Sequence, residues 1–286
     1  MAKLKTIRRR ITSVRNTQKI TRAMKMVAAA RLRRAQETAQ RFREYADLST
    51  AILAEVASGP QDDEHPLLKR RTEGKSLILV ICADRGLCGA FNGNLCRAVE
   101  SRLKTDGVKP SLAIVGRKAV DYFERRGATI DRVFKDVYET PGIAAAAAIG
   151  RELADRYSAG DFSHIEIASN EFLSMISQKP VFRTLLPVPL PERREAGGAS
   201  PIFIFEPEQT ELLARLLPRY VEVEIERALL ESVAAEHAAR MTAMDAATNN
   251  AEDMLNHLTL VYNRARQSAI TSDLMDIVGG AEALHD

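Results

Sequence analysis

Residues 1–58 read MAKLKTIRRRITSVRNTQKITRAMKMVAAARLRRAQETAQRFREYADLSTAILAEVAS, without one Gly or Pro. Interior Gly and Pro cost a helix about 1 and about 3 kcal/mol respectively. A second stretch free of both runs from Arg219 to Val278. All eleven Pro and thirteen of the fifteen Gly fall between Gly59 and Pro218. Stretches of 58 and 60 residues without a breaker predict two very long helices. At ~1.5 Å per residue, each would span roughly 90 Å.

Helices of that length need a partner along their sides, and the chain ends are the obvious pair. Leu4, Ile7, Ile11 and Val14 step by three and four, after which the positions in phase, Gln18 and Thr21, are polar. Apolar residues resume at Ile20, Met24 and Val27, as at a coiled-coil stutter or a face turned to a different partner. Towards the C-terminus an Ala-rich run, AAEHAARMTAMDAATNNAEDML, permits close helix approach. Leu255, Leu258, Tyr262, Ala265 and Ala269 then keep the three-four spacing. Both stretches join the middle segment, so the helices can run antiparallel. Residues 1–36 carry twelve Lys or Arg and no acid, whereas residues 210–286 carry thirteen acids and six bases. Opposite charge on paired helices should help to set their register.

The middle segment alternates strand and helix. SLILVICAD, SLAIVG, IDRVF and HIEIASNEF read as strands; NGNLCRAVESRLK, RKAVDYFERRG and IAAAAAIGRELADRYSAG read as helices. KPVFRTLLPVPL is a last extended stretch, and PLPERREAGGASP a linker. Continuous apolar strands alternating with helices imply a largely parallel sheet covered on both faces. The expected organisation is an N-terminal long helix over 1–58, a doubly wound, Rossmann-like α/β domain over 75–205, and a C-terminal long helix over 208–286.

Composition excludes several classes. Apolar residues at 45% and charged residues at 28% describe a globular chain, and the apolar runs are too short to span a bilayer. Cys82, Cys88 and Cys96 form no metal-ligand or redox pair, which predicts free thiols, and the five His are scattered. DRGLCGAFN, at 84–92, follows a strand and opens a helix, where phosphate loops occur. It lacks the Lys-Ser/Thr of a P-loop, and Gly86, Gly89 and Gly93 miss the dinucleotide spacing. A tight turn is the plainer reading. The basic N-terminus could meet nucleic acid, but it lacks interleaved aromatics and half its face is an apolar seam, which favours a protein partner. Asn249, Asn250 and the stretch YNRARQSAIT are unusually polar for a paired helix, and Arg266 and Gln267 stand beside the seam where they could grip a partner.

NTQKITRAMKMVAAARLRRAQ, HPLL at 65–68, DRGLCGAFN, and ALLESVAAEHAARM continuing through EHAARMTAMDAATNNAEDML to YNRARQSAIT resemble the gamma subunits of bacterial F-type ATP synthases, in order and over nearly the whole chain. The resemblance implies a rotary shaft, present once per complex. Its terminal helices would form an antiparallel coiled coil inside a ring of alpha and beta subunits, with the α/β domain outside, joined to epsilon and the c-subunit ring. Ion flow through the c ring would turn the shaft and drive the beta sites in sequence, so this chain would hold no catalytic residue, cofactor or metal. It would lie at the cytoplasmic face of the cell's inner membrane and touch the membrane only through the complex. The implied ring contacts are Met24, Lys25, the turn at Cys88, Arg266 and Gln267; the implied foot contacts are Phe205 and Glu206. Asp273 and Asp276 depart from the family's usual Glu or Gln, and Glu, at the tip, and the linker around 193–200 lacks the Cys of the photosynthetic redox insertion. Few large apolar residues at the tip would suit a weakly gripping bearing. Two other classes make different predictions: a nucleic-acid-binding coiled coil implies steeply salt-dependent DNA or RNA binding, and a nucleotide-dependent enzyme implies saturable nucleotide binding by residues 75–205.

Overall fold

The computed structural model describes residues 2–57, 65–71, 74–105, 110–138, 141–189, 206 and 208–282. The linker expected around 189–201 falls almost wholly outside them. The two long helices are α1 (Ala2–Val56, 55 residues) and α5 (Gln209–Glu282, 74 residues). α5 starts before the breaker-free stretch and runs through Pro218. An interior Pro forfeits a backbone bond at about 3 kcal/mol. Its neighbours Leu217, Tyr220 and Val221 are buried in the core, which offsets that cost.

Between the helices come β1 (Lys75–Ile81), α2 (Phe91–Thr105), β2 (Ser111–Val115), α3 (Arg117–Glu124), β3 (Ile130–Phe134), α4 (Ile143–Ala159), β4 (Phe162–Phe172) and β5 (Gln178–Leu186). Every strand and helix expected from the alternation is present. The sheet order is β3-β2-β1-β4-β5. β1 pairs in parallel with both β2 and β4, for example Leu79 with Ala113 and with Ile167, and β2 pairs in parallel with β3. The last extended stretch, β5, returns antiparallel to β4 across a turn at 173–177.

Alternation along β1 splits the core between the two faces. Leu77, Leu79 and Ile81 join one cluster, and Ile78, Val80 and Cys82 the other. The second cluster is closed by Leu95 and Val99 of α2 and Ala119 and Phe123 of α3. The first is closed by Ile149, Leu153 and Tyr157 of α4, by Leu217, Val221, Ile225 and Leu229 of α5, and by Leu53 and Val56 of α1. The long helices therefore supply one wall of the α/β core. Gly150 lets α4 reach α5 closely: a Cβ there would stand 3.2 Å from Glu222 Cγ and 3.4 Å from its Cα.

By compactness the chain parts into residues 1–28 with 241–286, and residues 29–240. Both divisions fall inside the long helices, not at the composition changes near 58–75 and 205–208. A domain cut at 75–205 would lose the wall described above.

In the first unit the seam on α1 is Leu4, Ile7, Ile11, Val14, Gln18, Thr21, Lys25 and Ala28, all partly or fully shielded. This is an unbroken three-four repeat, and it corrects the stutter reading. Ile20 and Val27 stand outside the seam, 60% and 54% exposed. Thr21 is tolerated in the seam because its hydroxyl is bonded. The Thr21 hydroxyl donates to the Gln18 carbonyl at 3.1 Å and accepts from the Thr248 hydroxyl at 2.8 Å. Of the two alternatives, an added outward apolar face is the correct one. On α5, Leu255, Leu258, Tyr262, Ala265 and Ala269 form the shielded row, as the spacing predicts. Thr21 opposite Thr248 and Lys25 opposite Asp245 run in opposite chain directions, so the pairing is antiparallel.

In the second unit Arg43 meets Glu231 and Asp47 meets Arg227, again in opposite order. Lys25–Asp245 pairs the basic N-terminal stretch with the acidic α5, whereas Asp47–Arg227 has the reverse polarity.

Candidate partner-contact surfaces

The loop after β1 is built around one side chain. Asn92, in the first turn of α2, accepts from the Ala83 N–H at 3.3 Å and the Cys82 thiol at 3.1 Å through Oδ1. Its Nδ2 donates to the Arg85 carbonyl at 3.2 Å and lies 3.3 Å from Cys88 Sγ. Asp84 accepts the Arg117 N–H at 2.9 Å, which ties the loop to the start of α3. The crossing of the β1 and β2 ends requires Gly116. Its φ is +98°, and a Cβ would stand 1.8 Å from the Cys82 carbonyl oxygen.

These ties settle the loop's chemistry. The Ala83 N–H is spent on Asn92 rather than offered to a phosphate. In this strand order β1 is the switch point, where doubly wound sheets commonly bind ligands. Here the crevice at its end holds about 310 Å³ and is lined by Asp84, Arg85, Tyr138 and α5 residues Glu236, His237 and Arg240. Glu236 is buried and ion-paired with Arg240, and His237 Nδ1 lies 2.8 Å from its other oxygen. Arg240 also donates to the Gly86 carbonyl at 3.1 Å. A buried, ion-paired carboxylate and the passing α5 thus form one wall of the crevice, with Arg31 also at its lining.

The sequence-expected site residues fall in different settings. Cys88 is 1% exposed, and burial, with Glu236 nearby, pushes its thiol pKa up. It is a core side chain of its own loop. The residue the turn presents is Leu87, at φ 63° and 63% exposed. Non-Gly residues adopt such angles only when the surroundings hold them there, and the Asn92 bonds do so. Met24 is half-buried beside the seam. Lys25 is already ion-paired with Asp245, both half-exposed. Arg266 and Gln267 are exposed next to the row formed by Ala265 and Ala269. Glu206 is exposed, and Phe205 lies outside the described residues.

The C-terminal part of α5 contradicts the expected scarcity of large apolar residues. Leu260, Ile270, Leu274, Met275, Ile277 and Val278 are all exposed. Patches of this kind mark interaction surfaces on soluble chains. Among the described residues no helix is long and apolar enough to cross a membrane. Leu87 as a surface element and Asn92 as the scaffold of the loop were not legible in the sequence.

A family model for ATP synthase matches residues 3–284. The ATP synthase gamma chain of Geotalea daltonii is 45% identical over 287 residues, covering 99% of each chain. That of an Anaeromyxobacter species is 47% identical over 291 residues, covering 99% of this chain and all of its own. The chain belongs to the ATP synthase gamma-chain family. Among solved structures, the central stalk and c ring of Tetrahymena thermophila mitochondrial ATP synthase matches with a TM-score of 0.59 at 26% identity, over 80% of this chain and 99% of that one. A chain of the Euglena gracilis mitochondrial ATP synthase shares the fold, with a TM-score of 0.70 at 20% identity, covering 99% and 95%. As a gamma chain, the protein is the central rotor shaft of an ATP synthase. It is a component of that membrane-associated complex.

Proposed function

We propose that this chain turns inside a ring of alpha and beta subunits and carries no catalytic site itself. One observation supports this above the rest: a helix pair with a fully satisfied inner seam still exposes Ile20 and Val27 on α1 and Ile270, Leu274, Met275 and Ile277 on α5. An antiparallel coiled coil needs no second apolar face for its own stability, so that face is for a surrounding partner. Met24, Lys25, Arg266 and Gln267 edge the same surface, and the turn carrying Leu87 and Cys88 gives a further contact with the ring. Because the two helices differ in sequence and charge, the pair presents a different surface to each beta subunit. A ligand that distinguishes states shifts their populations, and one that does not shifts nothing. Rotation of an uneven shaft therefore drives the beta sites through their states in turn.

The α/β domain takes the foot role, with Phe205 and Glu206 as its contacts: it joins epsilon and the c ring and receives the torque of ion flow. One copy serves each complex, at the cytoplasmic face of the bacterial inner membrane, with no nucleic acid and no cofactor of its own. The test is reconstitution. The purified chain mixed with alpha and beta subunits is expected to co-purify as one complex with rotation-dependent ATPase activity. Failure to assemble, or saturable nucleotide binding by this chain alone, refutes the proposal.

A further inference from the structure

A shaft works only if twist applied to the α/β domain reaches the helices without slipping. Much of the contact between them is apolar, from Leu217, Val221 and Leu229 to Ala228 and Ala235 of α5. Apolar burial is non-directional, so it holds helices together without fixing their rotation about their axes. Something directional must set the angle.

We propose that the carboxylate of Glu231 is the torsional clasp between the α/β domain and the long helices. It is a positioning residue, and the inference rests on the shaft reading above. The Glu231 side chain is 5% exposed, and guanidinium groups from three elements converge on it. Arg43 of α1 donates to Oε1 at 3.2 Å, and Arg227 of α5 donates to the same oxygen at 3.4 Å. Arg183 of β5 donates to Oε2 at 3.3 Å. The node extends outward: Arg183 also holds Glu171 of β4 at 3.1 Å, and Arg227 reaches Asp47 of α1 at 3.4 Å. One buried anion therefore ties both long helices to the β4–β5 hairpin.

Three further acids border the node: Glu171 and Asp47 through the bonds above, and Glu224, whose Oε1 lies 3.8 Å from Arg227 Nη1. Arg183 Nη1 is buried without an acceptor. Losing the Glu231 charge removes the one carboxylate that all three guanidinium groups share, and taking one member out of a buried ion-pair network is destabilising. Charge-assisted bonds from fixed guanidinium forks are also directional. Turning the sheet about α5 must stretch the Arg183 bond, and turning α1 against α5 must stretch the Arg43 and Arg227 bonds.

The test uses the assembled complex with its head fixed to a surface and a probe on the α/β domain. Arg125→Cys supplies an exposed attachment point, since the native cysteines are all buried. While the motor pauses, the variance of probe angle is thermal energy divided by torsional stiffness. Glu231→Gln is expected to widen that variance about twofold or more, because it removes the shared anion but keeps the volume. Glu231→Asp, which restores the charge, should recover part of the stiffness. Val99→Ala, in the core on the other sheet face, should lower stability without widening the distribution. Arg43→Gln reads the same quantity from a half-exposed arm if Glu231→Gln assembles poorly. Unchanged variance in both glutamine variants, or equal widening by Val99→Ala, overturns the clasp. A wild-type probe that does not rotate at all refutes the shaft reading instead.

Discussion

Replacing Asn92 with Ala should open the loop over 83–92 while leaving the rest of the α/β domain folded. The side chain meets the buried Ala83 N–H and the Arg85 carbonyl. Orphaning a buried N–H costs about 1–3 kcal/mol, and a lost neutral bond about 1 kcal/mol more. Ala returns roughly 0.5 kcal/mol of helix propensity. Local opening should therefore become easier by ~1.5–3.5 kcal/mol, or about 10- to 400-fold in the open population. Cys88 reports this directly, being 1% exposed in the closed loop. A thiol reagent applied to the free chain, read by peptide mass spectrometry, should modify Cys88 faster in Asn92→Ala by that factor. Cys96, buried on α2, is the internal reference and should keep its rate. An increase at Cys88 below about threefold would show that Asn92 does not organise the loop. A matching increase at Cys96 would mean general unfolding, and would equally refute the local account.

Gly116→Ala meets the Cys82 carbonyl at 1.8 Å from a backbone at φ +98°, so soluble yield should collapse; a variant melting within a few degrees of wild type contradicts that geometry. Thr21→Val with Thr248→Val removes both ends of a bonded polar layer, and should be neutral or stabilising to helix melting by circular dichroism, whereas Thr21→Val alone leaves Thr248 bonded only to the Met244 carbonyl. Burial raises the pKa of Glu224, with Arg227 and Arg183 opposing. A carboxyl raised in the folded state contributes stability below its unfolded pKa and loses it as pH rises through the folded value. Glu224→Gln should therefore raise the melting temperature at neutral pH, with the gain shrinking as pH falls through the carboxylate range; a pH-independent difference argues against burial as the cause. Limited proteolysis of the free chain should cut the paired ends at 1–28 and 241–286 well before the sheet, and equal protection throughout would argue against a shaft that relies on a surrounding ring.

The long helices were legible because Gly and Pro are absent from them, a one-dimensional property. The sheet was legible because its strands are continuous apolar runs such as SLILVICA. The seam was harder to follow. Gln18 and Thr21 look like a break, yet Thr21 stays in the seam through its bond to Thr248, some two hundred residues away. Around Cys88 the residues show only a Gly-rich turn; the amide of Asn92, bonded to the Arg85 carbonyl and beside Cys88 Sγ, holds Cys88 inward and leaves Leu87 outside. The Glu231 node could not be read locally, since its donors come from α1, β5 and α5. Pairing at that distance is a product of the fold.

The most direct measurement is to watch the α/β domain turn. With the alpha-beta head fixed and a probe at Arg125→Cys, ATP hydrolysis should drive rotation in one direction, in discrete steps, with pauses at fixed angles. Hydrolysis at the full rate by a complex containing this chain, with the probe stationary, would contradict the account.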